Sequence, residues 1–191
     1  MLALQNFVLL GLPLAVAASP SPVKRAPSGS FTLYAYGDGI GGAPVFSDGE
    51  TAYVGKQSSL NGSNVAQVTF TVGDNNSLLA SPNTTSGTTT PSWSNTTFYV
   101  PSTSSSAHTV GFTNSTPSDE MAATDFIFYG QVVFHQNDDG DLEGEWYATT
   151  TQYDEVWTLK WNTSSDDNST SMVAVTLKAT APTLAMDGSD E

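Results

Sequence analysis

The sequence predicts an all-β fold: an antiparallel β-sandwich of jelly-roll or lectin-like type, with a closed β-barrel as the alternative. Three observations carry that reading. Apolar residues recur at every second position in most of the ordered-looking segments. No window repeats them at i, i+3, i+4 and i+7 for more than one turn, so amphipathic helices are not expected. Charged residues make up only 13% of the 191-residue chain and apolar ones 38%, and Thr, Ser, Asn and Gly fill the difference, as in β-proteins with many turns.

The chain opens on an expected processing segment. Residues 2–18 (LALQNFVLLGLPLAVAA) are almost wholly apolar, with the small residues Val16 and Ala18 spaced as signal peptidase prefers, so 1–18 reads as a secretory signal peptide. Pro13 and the short length set it apart from a membrane span. Residues 19–25 (SPSPVKR) read as a pro-segment ending in the dibasic pair Lys24-Arg25, within an extended Pro/Ser-rich stretch that a protease can reach. What remains, 26–191, is expected to be a single β-domain, large enough to bury a core without disulfides. The C-terminal MDGSDE carries no hydrophobic tail of the kind a GPI signal needs.

About nine or ten strands follow. Phe31, Leu33 and Ala35 alternate with Thr32, Tyr34 and Tyr36. The run Gly37-Asp38-Gly39-Ile40-Gly41-Gly42 lacks the following helix that a phosphate loop requires, and reads as a turn or bulge. PVFSDGETAYVG reads as a hairpin with a two-residue turn at Asp48-Gly49. Ala66, Val68, Phe70 and Val72 share one strand face. Residues 73–97 have few core candidates and read as a polar loop insertion, rich enough in Ser and Thr for O-linked sugar. Val110 and Phe112 lie on one face of a further strand, with His108 in phase with them at its mouth.

A second hairpin spans NDDGD. A three-residue loop, Asp138-Asp139-Gly140 with Gly140 in the left-handed region, pairs Asn137 with Asp141 and His135 with Glu143. It lays Phe134 over Gly144, sets Val132 facing Trp146, and puts those apolar residues on the core side. Trp157, Leu159 and Trp161 then share a core face, as do Val173, Val175 and Leu177, with a polar loop at 162–171 between them.

Charge and composition exclude several functions. With 5 Lys+Arg against 19 Asp+Glu the net charge is −14, which repels phosphate backbones and anionic membranes; neither nucleic acid nor membrane is an expected partner. The absence of cysteine removes disulfide scaffolds, thiol catalysis and Cys-type zinc sites. Seven N-x-[ST] sequons (Asn61, Asn75, Asn83, Asn95, Asn114, Asn162 and Asn168) agree with an extracellular, secreted glycoprotein and mark surface loops.

The runs FTLYAYGDGIGGAPVFSDGETAYVG (31–55) and VGFTNSTPSDEMAATDFIFYGQVVF (110–134), with WYA at 146–148 and LKWN at 159–162, resemble a family of small secreted proteins of filamentous ascomycete fungi. The resemblance covers roughly residues 30–180. It implies fungal origin and secretion, matches a fungal dibasic-processing junction at Lys24-Arg25, and supplies no activity and no catalytic residue.

Chemistry is therefore sought in the residues themselves. In DLEGEWY, Asp141, Glu143 and Glu145 alternate along a strand and project from one face, about 6.5–7 Å apart. Paired carboxylates at such range suit glycoside hydrolysis, with one acting as acid and the other as base or nucleophile. The E-x-D-x-E strand of laminarinase-type β-glucanases is similar, but the order here is D-x-E-x-E. A charged solvent face after a turn explains the same three acids. His135 opposite Glu143 is expected to have its pKa raised by charge attraction; the pair could orient a proton shuttle, though a surface cross-strand contact of modest worth is the commoner reading of such a pair. Asn137 to Asp141, Asp74 to Asn76 and Asp166 to Asn168 offer oxygen ligands, yet none fits an EF-hand and turn chemistry accounts for them, so no metal and no cofactor is assigned.

Tyr34, Tyr36 and Tyr147 lie opposite the core phase and Trp93 lies in the polar insertion; these four are the sugar-stacking candidates. The sequence thus points to a secreted, glycosylated, non-catalytic β-domain of the fungal extracellular space or cell wall, associated with cell-wall or environmental polysaccharide. A glycoside hydrolase-like enzyme using Glu143 and Glu145, and a small barrel carrying an apolar ligand, are the alternatives.

Overall fold

The computed structural model describes residues 26–85, 90–162 and 172–183. The expected signal peptide with Ala18, the Lys24-Arg25 junction and the Asn168 sequon lie outside the described residues. In chain order the strands are β1 (Tyr34–Gly37), β2 (Ile40–Ser47), β3 (Ala52–Gly55), β4 (Ala66–Val72), β5 (Leu78–Pro82), β6 (Thr96–Pro101), β7 (Gly111–Thr113), β8 (Met121–Ala122), β9 (Phe126–Tyr129), β10 (Val132–Gln136), β11 (Leu142–Glu143), β12 (Trp146–Thr150), β13 (Val156–Trp161) and β14 (Met172–Lys178). The pairings between them are antiparallel.

The sheet closes on itself. β1 pairs with β14 along one edge and with β2 along the other, so the order β1-β2-β3-β13-β12-β14 returns to its start as a six-stranded barrel. The all-β class is as the alternation predicts, and of the two architectures the closed barrel is the one adopted. A six-stranded cylinder is narrow, so it needs strong coiling and small inward side chains. The glycine run supplies the first. Asp38-Gly39 makes the tight turn between Gly37 and Ile40, and the register then shifts at Gly42, whose φ of +86° marks a bulge. Alanines supply the second: Ala35 lies opposite both Ala43 and Leu177, and Ala148 lies between Leu159 and Val173.

Two groups of strands flank the barrel. β4 pairs with the end of β2 and leads into β5, β6 and β7, with β8 on β6. β10 meets β14 through Val132 and Lys178, and carries β9 and β11 on its edges. One continuous core runs from the barrel interior (Ala35, Val45, Val54, Ala148, Leu159, Leu177) into this outer layer (Phe70, Leu78, Phe98, Phe126, Phe128). At the junction Trp146 and Trp161 cross with ring centroids 4.5 Å apart, and Trp146 stacks on Phe98 at 6.2 Å. Among the described residues the interior is lined by the barrel's own apolar side chains.

Three local expectations are corrected. The first hairpin has a four-residue loop: Ser47 pairs with Ala52, and Asp48 Oδ1 accepts the N–H groups of Glu50 (3.1 Å) and Thr51 (2.9 Å). Glu50 and Thr51 are drawn out of the hairpin because they bond the segment at 110–112 instead: Phe112 N–H donates to Glu50 O at 2.8 Å, and Thr51 bridges Gly111. The insertion at 73–97 contains β5, whose Leu78 and Ala80 are fully buried; two core positions in a short strand leave little periodicity amid polar neighbours.

The NDDGD hairpin has the expected register, with His135 opposite Glu143, Asn137 N–H donating to Asp141 O at 3.0 Å, and Gly140 at φ +88°. Its faces are reversed. Val133 is fully buried and His135 follows it inward, while Phe134 is half-buried on the other side, covering Gly144 so closely that a Cβ there would meet its ring at 3.0 Å. Val132 does not meet Trp146, because the chain leaves the hairpin at Gly144 and Trp146 joins the barrel opposite Val175 and Trp161.

Candidate functional site

The barrel has two ends, and each bears a concave surface. One end is the mouth where β1 turns into β2, β3 ends and β13 begins. A cleft of about 460 Å³ opens there, lined by Gly39, Ile40, Gly41, Gly42, Ala43, Gly55, Lys56, Glu155 and Trp157. Trp157 is in phase with Leu159 and Trp161, as the alternation predicts, but it stands one layer above them at the rim and is partly rather than fully buried, packed against the core. Its ring rests on Gly55, where a Cβ would lie 3.1 Å from Trp157 Cε3. Beside it Lys56 Nζ donates to Glu155 Oε2 at 2.9 Å; that hydrogen bond, with the carboxylate charge, raises the Lys56 pKa. The mouth is therefore an aromatic ring beside the exposed backbone of Gly39 and Gly41, with a donor and an acceptor at its edge.

Beyond Gly41 the surface continues to Tyr36. Its hydroxyl donates to Thr180 O at 2.8 Å, Lys178 Nζ lies 5.0 Å from its ring centroid, and its ring edge lies against Gly42. Tyr34 and Tyr147 are half-exposed on the outer wall and line neither this shelf nor the mouth. Trp93 is corrected from platform to core: it is 8% exposed, stacks on Phe112 at 6.3 Å, and donates its indole N–H to Asn64 O at 2.7 Å. Polar neighbours in sequence hid a ring that folds back over the Asp48-Gly49 turn.

The second concavity, about 360 Å³, lies beside Trp161 and holds His135, Asp125, Asn137, Asp138 and Glu143. Of the three alternating carboxylates only Glu143 lines it. β11 is two residues long and the chain bends at Gly144, where Trp146 N–H donates to Gly144 O at 2.9 Å, so Asp141, Glu143 and Glu145 do not form one strand face. Asp141 and Glu145 are exposed, and Glu143 is held by Asn137 Nδ2 at 2.8 Å. The Glu143/Glu145 pair that the hydrolase alternative needs does not share the cleft.

His135 also departs from expectation. Its side chain is only 15% exposed, wedged edge-on between Phe126 and Trp161, and Nδ1 stands 4.0 Å from Glu143 Oε2 without a hydrogen-bond partner. Burial lowers its pKa below the ordinary 6.5, outweighing the upward pull of Glu143, Asp125 and Asp138. The unfolded chain therefore takes up a proton before the fold does. Stability conferred by the neutral imidazole is present above about pH 6.5 and declines as the pH falls from there through the folded value. Thermal melts at about pH 7 and about pH 5 are expected to show a larger acid loss for the wild type than for His135→Gln. Equal losses in the two proteins would contradict this account of the imidazole. His108 is half-buried just ahead of β7 and contacts Trp161 O through Nδ1 at 3.1 Å. Among the described residues no group of three or more His, Asp or Glu is arranged to hold a metal ion.

No family model matches this chain, and neither a curated protein nor a solved structure matches it.

Proposed function

We propose that this chain is a secreted, glycosylated β-barrel domain of the fungal extracellular space or cell wall that binds neutral polysaccharide at the barrel mouth without transforming it. The observation that carries the reading is the partly buried Trp157 at the rim of a cleft that also holds the exposed backbone of Gly39 and Gly41. Sugars bind proteins by laying the C–H face of a ring on an aromatic plane while their hydroxyls meet polar groups at the rim. Gly39 and Gly41 are exposed with nothing within 4 Å of their Cβ positions, so a flat pyranose can approach the backbone there, and Lys56 and Glu155 offer a donor and an acceptor beside the indole. The charge of −14 favours an uncharged polymer over an anionic one. None of the described sequon asparagines lines the mouth, so N-linked sugar at those positions leaves it open.

Sedimentation with insoluble β-glucan, chitin and mannan tests the reading. The secreted protein is expected to be depleted from the supernatant by at least one of the three. Trp157→Ala is expected to stay in solution, while Glu145→Gln behaves as wild type. A protein that none of the polymers retains, or a Trp157→Ala variant retained as well as the parent, would overturn it.

A further inference from the structure

The mouth cleft does not end at the rim. A second cleft of about 590 Å³, lined by Tyr36, Gly41, Gln131, Val132, Lys178 and Thr180 among others, shares Gly41 with it. Gly41 points outward opposite Tyr36, whereas Gly42 is the bulge residue whose Cβ position would fall 3.0 Å from the Tyr36 ring. The two clefts meet at the exposed Gly41, beside the place where Pro182 and Tyr36 cover the buried Gly42, with Trp157 on one side and Tyr36 on the other. Any side chain at position 41 would stand in exposed space between them, where nothing now lies within 4 Å.

We propose that the mouth and the Tyr36 shelf are two subsites of one groove, which takes a neutral polysaccharide lengthwise over the rim rather than one sugar end-on. This rests on the mouth reading above and adds the ligand class, an extended chain of several units. Each subsite holds a ring and a lysine: Trp157 and the Glu155-bound Lys56 at the mouth, and Tyr36 with Lys178 over its ring on the outer wall. Sugar rings bound at both subsites of one chain gain affinity through linkage, since the second contact is made intramolecularly.

The test is calorimetric titration of the secreted protein with soluble gluco-, chito- and manno-oligosaccharides, two units and six units long in each series. In the series that binds, the long ligand is expected to bind about tenfold tighter than the short one, the order of one added aromatic contact. Tyr36→Phe keeps the ring and is expected to keep that ratio. Tyr36→Ala is expected to bring the long ligand down to the affinity of the short one, which itself is unchanged. Bulk at the junction, in Gly41→Gln, is expected to weaken only the long ligand. Equal wild-type affinities for short and long ligands, or undiminished affinity of Tyr36→Ala for the long one, overturn the extended groove and leave the mouth standing. Absence of binding in every series overturns both.

Discussion

Replacing Trp146 by alanine is expected to destabilise the protein by about 3–5 kcal/mol, the cost typical of deleting a large buried aromatic side chain. Trp146 is 1% exposed and occupies the junction between the barrel and the outer strands. Its ring meets Trp161 on β13 and Phe98 on β6, and its indole N–H donates to Val133 O on β10 at 3.2 Å. One side chain therefore ties the barrel to both groups of outer strands, and the surrounding β-structure has little freedom to collapse into the space it leaves. Trp146→Phe keeps part of the stacking and is expected to cost less than the alanine variant. Urea unfolding measures both. A loss below about 1 kcal/mol for the alanine variant would show that the two layers do not depend on this contact.

The second large effect is expected at Gly55, where β3 ends. Its φ is +120°, a region L-residues avoid, and a Cβ there would lie 2.0 Å from the carbonyl oxygen of Glu155. That oxygen accepts the Lys56 N–H at 2.8 Å, and Glu155 is itself in the left-handed region at φ +55°. An alanine cannot be accommodated without moving β13 away from β3. Backbone strain and the displaced hydrogen bond together predict a loss of about 2–4 kcal/mol for Gly55→Ala. Because Trp157 rests on the same glycine, the proposed polysaccharide binding is expected to fall along with stability. Gly39→Ala, at the β1–β2 turn with φ +70° and open space around it, is expected to cost less, since only the strain applies.

What the sequence revealed follows the range of the physics involved. Alternation and turn chemistry act over a few residues, so the buried face of Ala66, Val68 and Phe70 and the register of Asn137 with Asp141 around Gly140 were legible. The closure of β1 on β14 joins residues about 140 positions apart, and no local pattern distinguishes it from a sandwich edge. Where apolar residues run consecutively, as in Val132-Val133-Phe134, the period gives no phase, and the burial of Val133 was settled by packing against β9 and the core. Periodicity gives side, not depth: it placed Trp157 on the inward face and could not tell that its layer is the rim. The same limit governed His135, whose acidic neighbour was readable while its burial was not, and burial sets the sign of its pKa shift.

The most direct measurement is heteronuclear NMR of the labelled protein during addition of the six-unit gluco-, chito- and manno-oligosaccharides in turn. The account predicts that with one of them the Trp157 indole N–H and the backbone amides of Gly39, Gly41, Gly55 and Lys56 shift together, while Tyr34, Tyr147 and His135 stay in place. Stationary mouth resonances with all three, or shifts centred on the His135 cleft, would contradict it.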